Sequence, residues 1–109
     1  MITDFVSGSD VLNVNSTPAG AEINLTGTQL STVTGSANLL AAANAALAAA
    51  AATKAGALVA GDGTVFQYGG STYVVIDEVI GAANTIEAGD TLIKLAGVTS
   101  VVAADVTIA

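Results

Sequence analysis

A small α+β domain, mainly β with one alanine-rich helix, is the fold class this sequence predicts. Three observations carry that expectation. Residues 36–54 form one alanine-dominated run with neither glycine nor proline. Short apolar stretches broken by glycine, serine and aspartate lie on both sides of that run. The resulting order is strands, helix, strands, which suits a sheet or β-sandwich-like layer covered by a single helix. A chain of 109 residues fits one domain spanning 1–109. A chain of that size buries roughly two-thirds of its unfolded surface, enough for one core without staples.

The first segment, residues 1–14, reads as short strands around a turn. Ile2, Phe5 and Val6 form an apolar patch. Ser7, Gly8, Ser9 and Asp10 carry turn chemistry, because glycine permits positive φ and Ser and Asp bond the local backbone. Val11, Leu12 and Val14 resume an apolar strand. Residues 15–20 are a loop holding the only proline, Pro18. Residues 21–25 alternate apolar and polar, the pattern of a half-buried strand.

The helix is expected over residues 36–54, since alanine has the highest helix propensity. Ser36 is the expected N-cap, with Ser31 or Thr34 as earlier starts. Lys54 suits the negative end of the helix dipole, and Gly56 follows as the C′ residue. Leu39, Leu40 and Leu47 form a narrow stripe, and the small alanines allow close approach to a sheet. The apolar stretches on either side of Asn44 are too short for a membrane span, which needs about 20 strongly apolar residues.

The last third reads as β. Residues 60–63 are a turn, 64–68 and 72–77 are strands, and Gly69, Gly70 and Ser71 form the hairpin loop between them. Phe66 and Tyr68 share one face, as do Tyr73 and Val75. Residues 80–89 are a loop. Residues 91–95 are a strand with Thr91, Ile93 and Leu95 on one side, and 98–108 supply the closing strands.

Composition narrows function. Nine acidic residues face two lysines, Lys54 and Lys94, for a formal charge of -7. That balance argues against nucleic acid, whose phosphates need a basic face, and against an anionic membrane surface. It fits either a cation such as calcium or solubility alone. Without Cys or His the chain lacks disulfides, thiol catalysis, imidazole bases and the usual zinc sites. Met1, Ile2, Thr3 and Asp4 show no basic n-region of a signal peptide, so an export address is expected elsewhere.

Chemistry-bearing motifs are sparse. Gly61-Asp62-Gly63 lacks a third glycine and a strand–helix frame, so it is a turn and no nucleotide loop. Ser7, Ser9 and Ser71 stand outside a nucleophile elbow and have no histidine partner. Asp77 and Glu78 are neighbours on a strand, so they face opposite ways. They read as solvated strand-end charge rather than an acid–base pair. Asp4 and Asp10 flank the Ser-Gly-Ser turn and, with turn carbonyls, are the candidate calcium ligands. The alternative is that Asp10 caps the turn and Asp4 is solvated. The sequons at Asn15 and Asn24 read as chance matches.

Four segments, in order, resemble one family. Residues 2–14 (ITDFVSGSDVLNV) are similar to the I-x-D-F-x-x-G-x-D-x-I-x-L stretch after the repeats of RTX proteins. Residues 66–77 (FQYGGSTYVVID) resemble the F-x-Y-G-G-x-T-Y-V-V-x-D hairpin of that family, notably in Caulobacter-type S-layer proteins. Residues 90–97 (DTLIKLAG) resemble its D-x-(L/V)-I-K-L-T-G. The ending Ala104-Asp105-Val106-Thr107-Ile108-Ala109 is similar to the acidic-then-apolar terminus of type I secretion signals. The resemblance implies a non-catalytic C-terminal domain that caps a calcium β-roll and carries the address for a type I ABC exporter. Asp105, Val106, Ile108 and Ala109 are the residues it points to as signal. Departures are the missing glycine-rich nonapeptide repeats, Asn13 and Ala96 in place of the usual Asp and Thr, and Thr107 within the terminal apolar run.

The leading expectation is therefore the secretion-signal and β-roll-capping domain of a secreted or surface-layer protein of a Gram-negative bacterium. Its partners are the exporter and the preceding RTX repeats. The alternative is a stand-alone secreted subunit that self-assembles with further copies of itself into a surface layer or filament. An exporter would read residues 91–109 unfolded or weakly folded. Residues 98–108 as the last core strand is the other reading, and both can hold.

Overall fold

A computed structural model of the chain describes residues 2–14, 22–56, 58–78, 85–98 and 105–108. The expected loop at 15–20 with Pro18, the strand start at Ala21, part of the 80–89 loop, residues 99–104 and the terminal Ala109 lie outside them. The elements are β1 (Leu12–Val14), β2 (Glu22–Ile23), α1 (Gly27–Thr34), α2 (Leu39–Lys54), β3 (Asp62–Tyr68), β4 (Ser71–Asp77), β5 (Thr91–Leu95) and β6 (Val106–Ile108).

The β3–β4 hairpin organises the sheet. Gly69 and Gly70 both adopt positive φ, 57° and 81°. A two-residue loop with positive φ at both positions matches the right-handed twist of the flanking strands. It fixes the register Tyr68↔Ser71, Phe66↔Tyr73, Thr64↔Val75 and Asp62↔Asp77. Phe66 stacks on Tyr73 with ring centroids 5.6 Å apart. β5 pairs antiparallel with β4, and β2 pairs parallel with β3, giving the sheet order β2-β3-β4-β5.

Strand alternation separates two cores. Phe66, Tyr73 and Val75 face the helices, together with Ile23, Leu25, Val33, Leu58 and the buried side of α2. Val65, Val74, Ile76 and Leu95 face the other way, onto Phe5 and Val106. That second face is covered by a parallel two-stranded ribbon in which Leu12 lies opposite Val106 and Val14 opposite Ile108. The domain is thus three layers: helices, four-stranded sheet, ribbon.

The α+β class holds, with one correction: the alanine helix is preceded by a second helix, α1. Gly27, Thr28, Ser31, Thr32 and Thr34 are weak helix formers, which hid it. Its end caps overcome that. Thr26 Oγ1 accepts from the Gln29 amide at 3.2 Å, and Gln29 Oε1 accepts from the Thr26 amide at 2.8 Å, a reciprocal capping box. Leu25 and Leu30 flank the cap at hydrophobic-staple positions and join the same core. Gln29 also donates to the Ala49 carbonyl at 3.3 Å, fixing α1 to α2.

The cap of α2 is Asn38, not Ser36: its side chain accepts from the Ala41 amide at 2.8 Å. Ser31 and Thr34 belong to α1 instead. The helix ends at Lys54 through Ala55 in the left-handed region, φ 61°, one residue before the expected glycine. The buried face runs through Ala42, Ala43, Ala46, Leu47, Ala50 and Ala51. Leu40, expected on that stripe, is 61% exposed, and of the two first-turn leucines it is Leu39 that packs against the core. Among the described residues no helix is long and apolar enough to cross a membrane.

Candidate functional site

Two polar clusters stand apart from the cores. The first joins the N-terminal turn to the start of β6. Ile2 adds to the β5 edge, its amide donating to the Lys94 carbonyl at 2.9 Å and its carbonyl accepting from the Ala96 amide at 2.7 Å. Phe5 then drops into the ribbon-side core. The chain turns at Gly8, φ 81°, with the Ser9 and Asp10 amides donating to the Val6 carbonyl at 3.2 and 2.8 Å.

Asp105 holds this turn. Its Oδ2 accepts from the Ser7 hydroxyl at 2.6 Å and its Oδ1 from the Gly8 amide at 3.1 Å. Asp105 and Val106, expected as export signal, are both buried, and Val106 packs with Phe5, Val65 and Leu95. Thr107 is exposed, and Ile108 occupies the last position of β6.

Of the two expected calcium ligands, Asp10 turns back on its own loop, where its Oδ2 accepts from the Val6 amide at 2.8 Å. Asp4 is exposed. Two carboxylates, one of them already holding an amide, fall short of the six to eight oxygens calcium takes. Among the described residues no group of three acidic side chains is placed to hold a metal ion.

The second cluster lies at the open end of the hairpin. Asp62 and Asp77 face each other across β3 and β4, each 1% exposed. Asp62 Oδ2 accepts from the Lys54 ammonium at 2.6 Å and from the Val59 amide at 2.9 Å, so the end of α2 neutralises it. Asp77 Oδ1 is buried with no hydrogen-bond partner among the described residues. Burial first, then the charges of Asp90, Glu87 and Asp62, push its carboxyl from 3.8 up to about 6.

Asp90 bridges this end to the segment before β5. Its Oδ1 accepts from the Glu78 amide at 2.9 Å and its Oδ2 from the Glu87 amide at 2.7 Å. The Thr91 hydroxyl donates to Glu78 Oε2. Asn44, the polar interruption of the alanine run, accepts from the Ile86 amide at 2.8 Å and ties the same segment to α2.

The reading of Asp77 as solvated strand-end charge is therefore corrected: the side chain is buried. The signal was in the hairpin itself. Counting back from a two-residue turn at Gly69 and Gly70 sets Asp62 opposite Asp77. The helix-facing parity of Phe66 and Tyr73 carries both inward. Glu78, just beyond the strand, is half-buried.

No family model, curated protein or solved structure matches the chain.

Proposed function

We propose that the chain is a non-catalytic C-terminal secretion-signal and β-roll-capping domain of an extracellular or surface-layer protein of a Gram-negative bacterium. Its resemblance to RTX and S-layer proteins supplies the exporter. One structural observation carries the capping half: the motif-bearing N-terminal segment and the C-terminal strand form a parallel ribbon on the sheet face away from the helices. A parallel ribbon presents the strand direction that stacked β-roll coils use, and an edge strand is a template for further pairing.

The alternative, a self-assembling secreted subunit, draws on a separate observation. Val6 and Val11 flank the N-terminal turn and are 55% and 59% exposed. Apolar side chains held at the surface beside a strand are available to another copy.

The decisive experiment fuses the chain behind a reporter in a host with a matching type I exporter. The expected result is reporter in the medium, and loss of export when residues 106–109 are deleted. Retention of the intact fusion in the cytoplasm, or full-yield export of the deletion, overturns the export reading. Intact mass of the natural product separates the two versions: a large precursor supports the cap, a 10.5 kDa product the subunit.

A further inference from the structure

The open end of the hairpin buries a carboxyl for which export and capping have no use. Asp77 closes β4 on the helix side of the sheet, 1% exposed, with Oδ1 unpartnered among the described residues. The charged groups around it come from three directions. Asp62 lies opposite on β3 and carries Lys54 of α2 at 2.6 Å. Glu87 and Asp90 come from the segment before β5, and Glu78 follows in the chain. Lys94, on β5, sits opposite Tyr73, further along β4.

A buried carboxylate without a donor is strongly disfavoured, and one facing other carboxylates takes up a proton instead. A protonated carboxyl has an O–H to give, and ionised carboxylates only accept. We propose that Asp77 binds a proton in the folded domain and serves as a pH-operated latch between the end of the β3–β4 hairpin and residues 85–90. With the proton bound, the carboxyl carries no charge in its buried position and the two segments stay together. With the proton lost, a buried charge whose Oδ1 has no donor among the described residues faces the charges of Asp90, Glu87 and Asp62, and residues 85–90 loosen from the hairpin.

Asp90 is where the loosening shows. Its two oxygens hold the Glu78 and Glu87 amides, one from each side of the latch. The Ile86 amide is held from α2 by Asn44 and provides an internal comparison. The latch does not rest on the export reading, and neither outcome below bears on export.

The test is NMR on the intact chain. The Asp77 carboxyl carbon is titrated, and amide exchange at Glu78 and Glu87 is followed across the same pH range, in the wild type and in Asp77→Asn. The expected titration midpoint lies more than about one unit above the ordinary aspartate value of about 3.9. In the wild type, exchange at both amides rises with pH faster than the intrinsic rate, whereas Asp77→Asn follows the intrinsic rate alone. A midpoint at or below the ordinary value, or identical exchange profiles in the two proteins, overturns the latch. The wild-type titration decides the matter even where the variant does not fold.

Discussion

Asp105 accepts a hydrogen bond from Ser7 at 2.6 Å, joining the last described strand of the chain to its first turn across 98 residues. The same carboxylate takes the Gly8 amide, so one buried side chain closes the ribbon layer. Hydrogen bonds to a charged group contribute roughly 1.5–3 kcal/mol each, and leaving a buried partner unsatisfied adds to the loss. Asp105→Ala is expected to destabilise by about 3 kcal/mol. Ser7→Ala should cost less, because the Gly8 amide remains held. A double-mutant cycle by denaturant unfolding gives the coupling. A value near zero would mean the contact does not contribute to the fold.

Phe66 is fully buried and stacked on Tyr73 in the helix-side core. Phe66→Ala removes the largest of the fully buried side chains and is expected to destabilise by about 3–5 kcal/mol. Thermal unfolding checks this. An unchanged melting temperature would contradict the hairpin's place at the centre of the sheet.

What was legible in the sequence followed from strong local chemistry. The paired glycines 69 and 70 announced the hairpin, but Ser71, expected in its loop, pairs with Tyr68, and Asp62 and Gly63, expected in a turn, already belong to β3. β5 was marked by its alternation and fell on residues 91–95 as expected. α1 was missed because Thr and Ser dominate it. Yet the Thr26/Gln29 spacing is a capping box that can be read without any structure. Strands were expected at both segments of the ribbon, but their pairing was not legible. Leu12 meets Val106 only through the tertiary fold, and a three-residue strand carries too little pattern to name its partner. The buried role of Asp77 was hidden by a habit of reading acidic residues as surface. Parity from Phe66 and Tyr73 contradicts that habit.

The Asp77 carboxyl makes stability depend on pH in a definite direction. Burial first, then the charges of Asp90, Glu87 and Asp62, push its folded pKa up to about 6 from the ordinary 3.8, so the folded state holds the proton more tightly. The stabilisation is fully present below the unfolded value and is lost as pH rises through about 6. A displacement of that size corresponds to about 3 kcal/mol. Asp77→Asn mimics the protonated shape and cannot ionise. Denaturant unfolding between pH 4 and 8 is expected to show a falling limb in the wild type that the variant lacks. Parallel curves would assign the limb to another group.

Ala55 ends α2 with φ 61°, a conformation in which its Cβ crowds the backbone. A left-handed alanine costs roughly 1 kcal/mol relative to glycine. Ala55 is exposed, so removing its methyl group leaves no cavity. Ala55→Gly is therefore expected to stabilise by about 0.5–1 kcal/mol, despite glycine's greater freedom when unfolded. A lower denaturation midpoint would show that the unfolded-state entropy outweighs the relief of strain.

The C-terminal strand serves the fold and, on the proposed function, the exporter as well, and the two roles respond differently to mutation. Val106 is 2% exposed among Phe5, Val65, Val74, Ile76 and Leu95, so it is core once the domain has formed. Val106→Ala removes two methyl groups from that cluster and is expected to destabilise by about 1–3 kcal/mol. An exporter that reads an unfolded segment meets residues 105–109 before any of those contacts exist. For such a reader the acidic-then-apolar order matters and packing does not. Val106→Ala keeps that order, whereas Asp105→Lys replaces the acid with a cation. Asp105→Lys also breaks the Ser7 clamp, so both variants weaken the folded state. The expected outcome is that Val106→Ala lowers the melting temperature yet leaves export of a reporter fusion near the wild-type yield. Asp105→Lys abolishes export. If export instead falls in step with melting temperature in both variants, the exporter depends on the folded ribbon, and the linear-address reading is wrong.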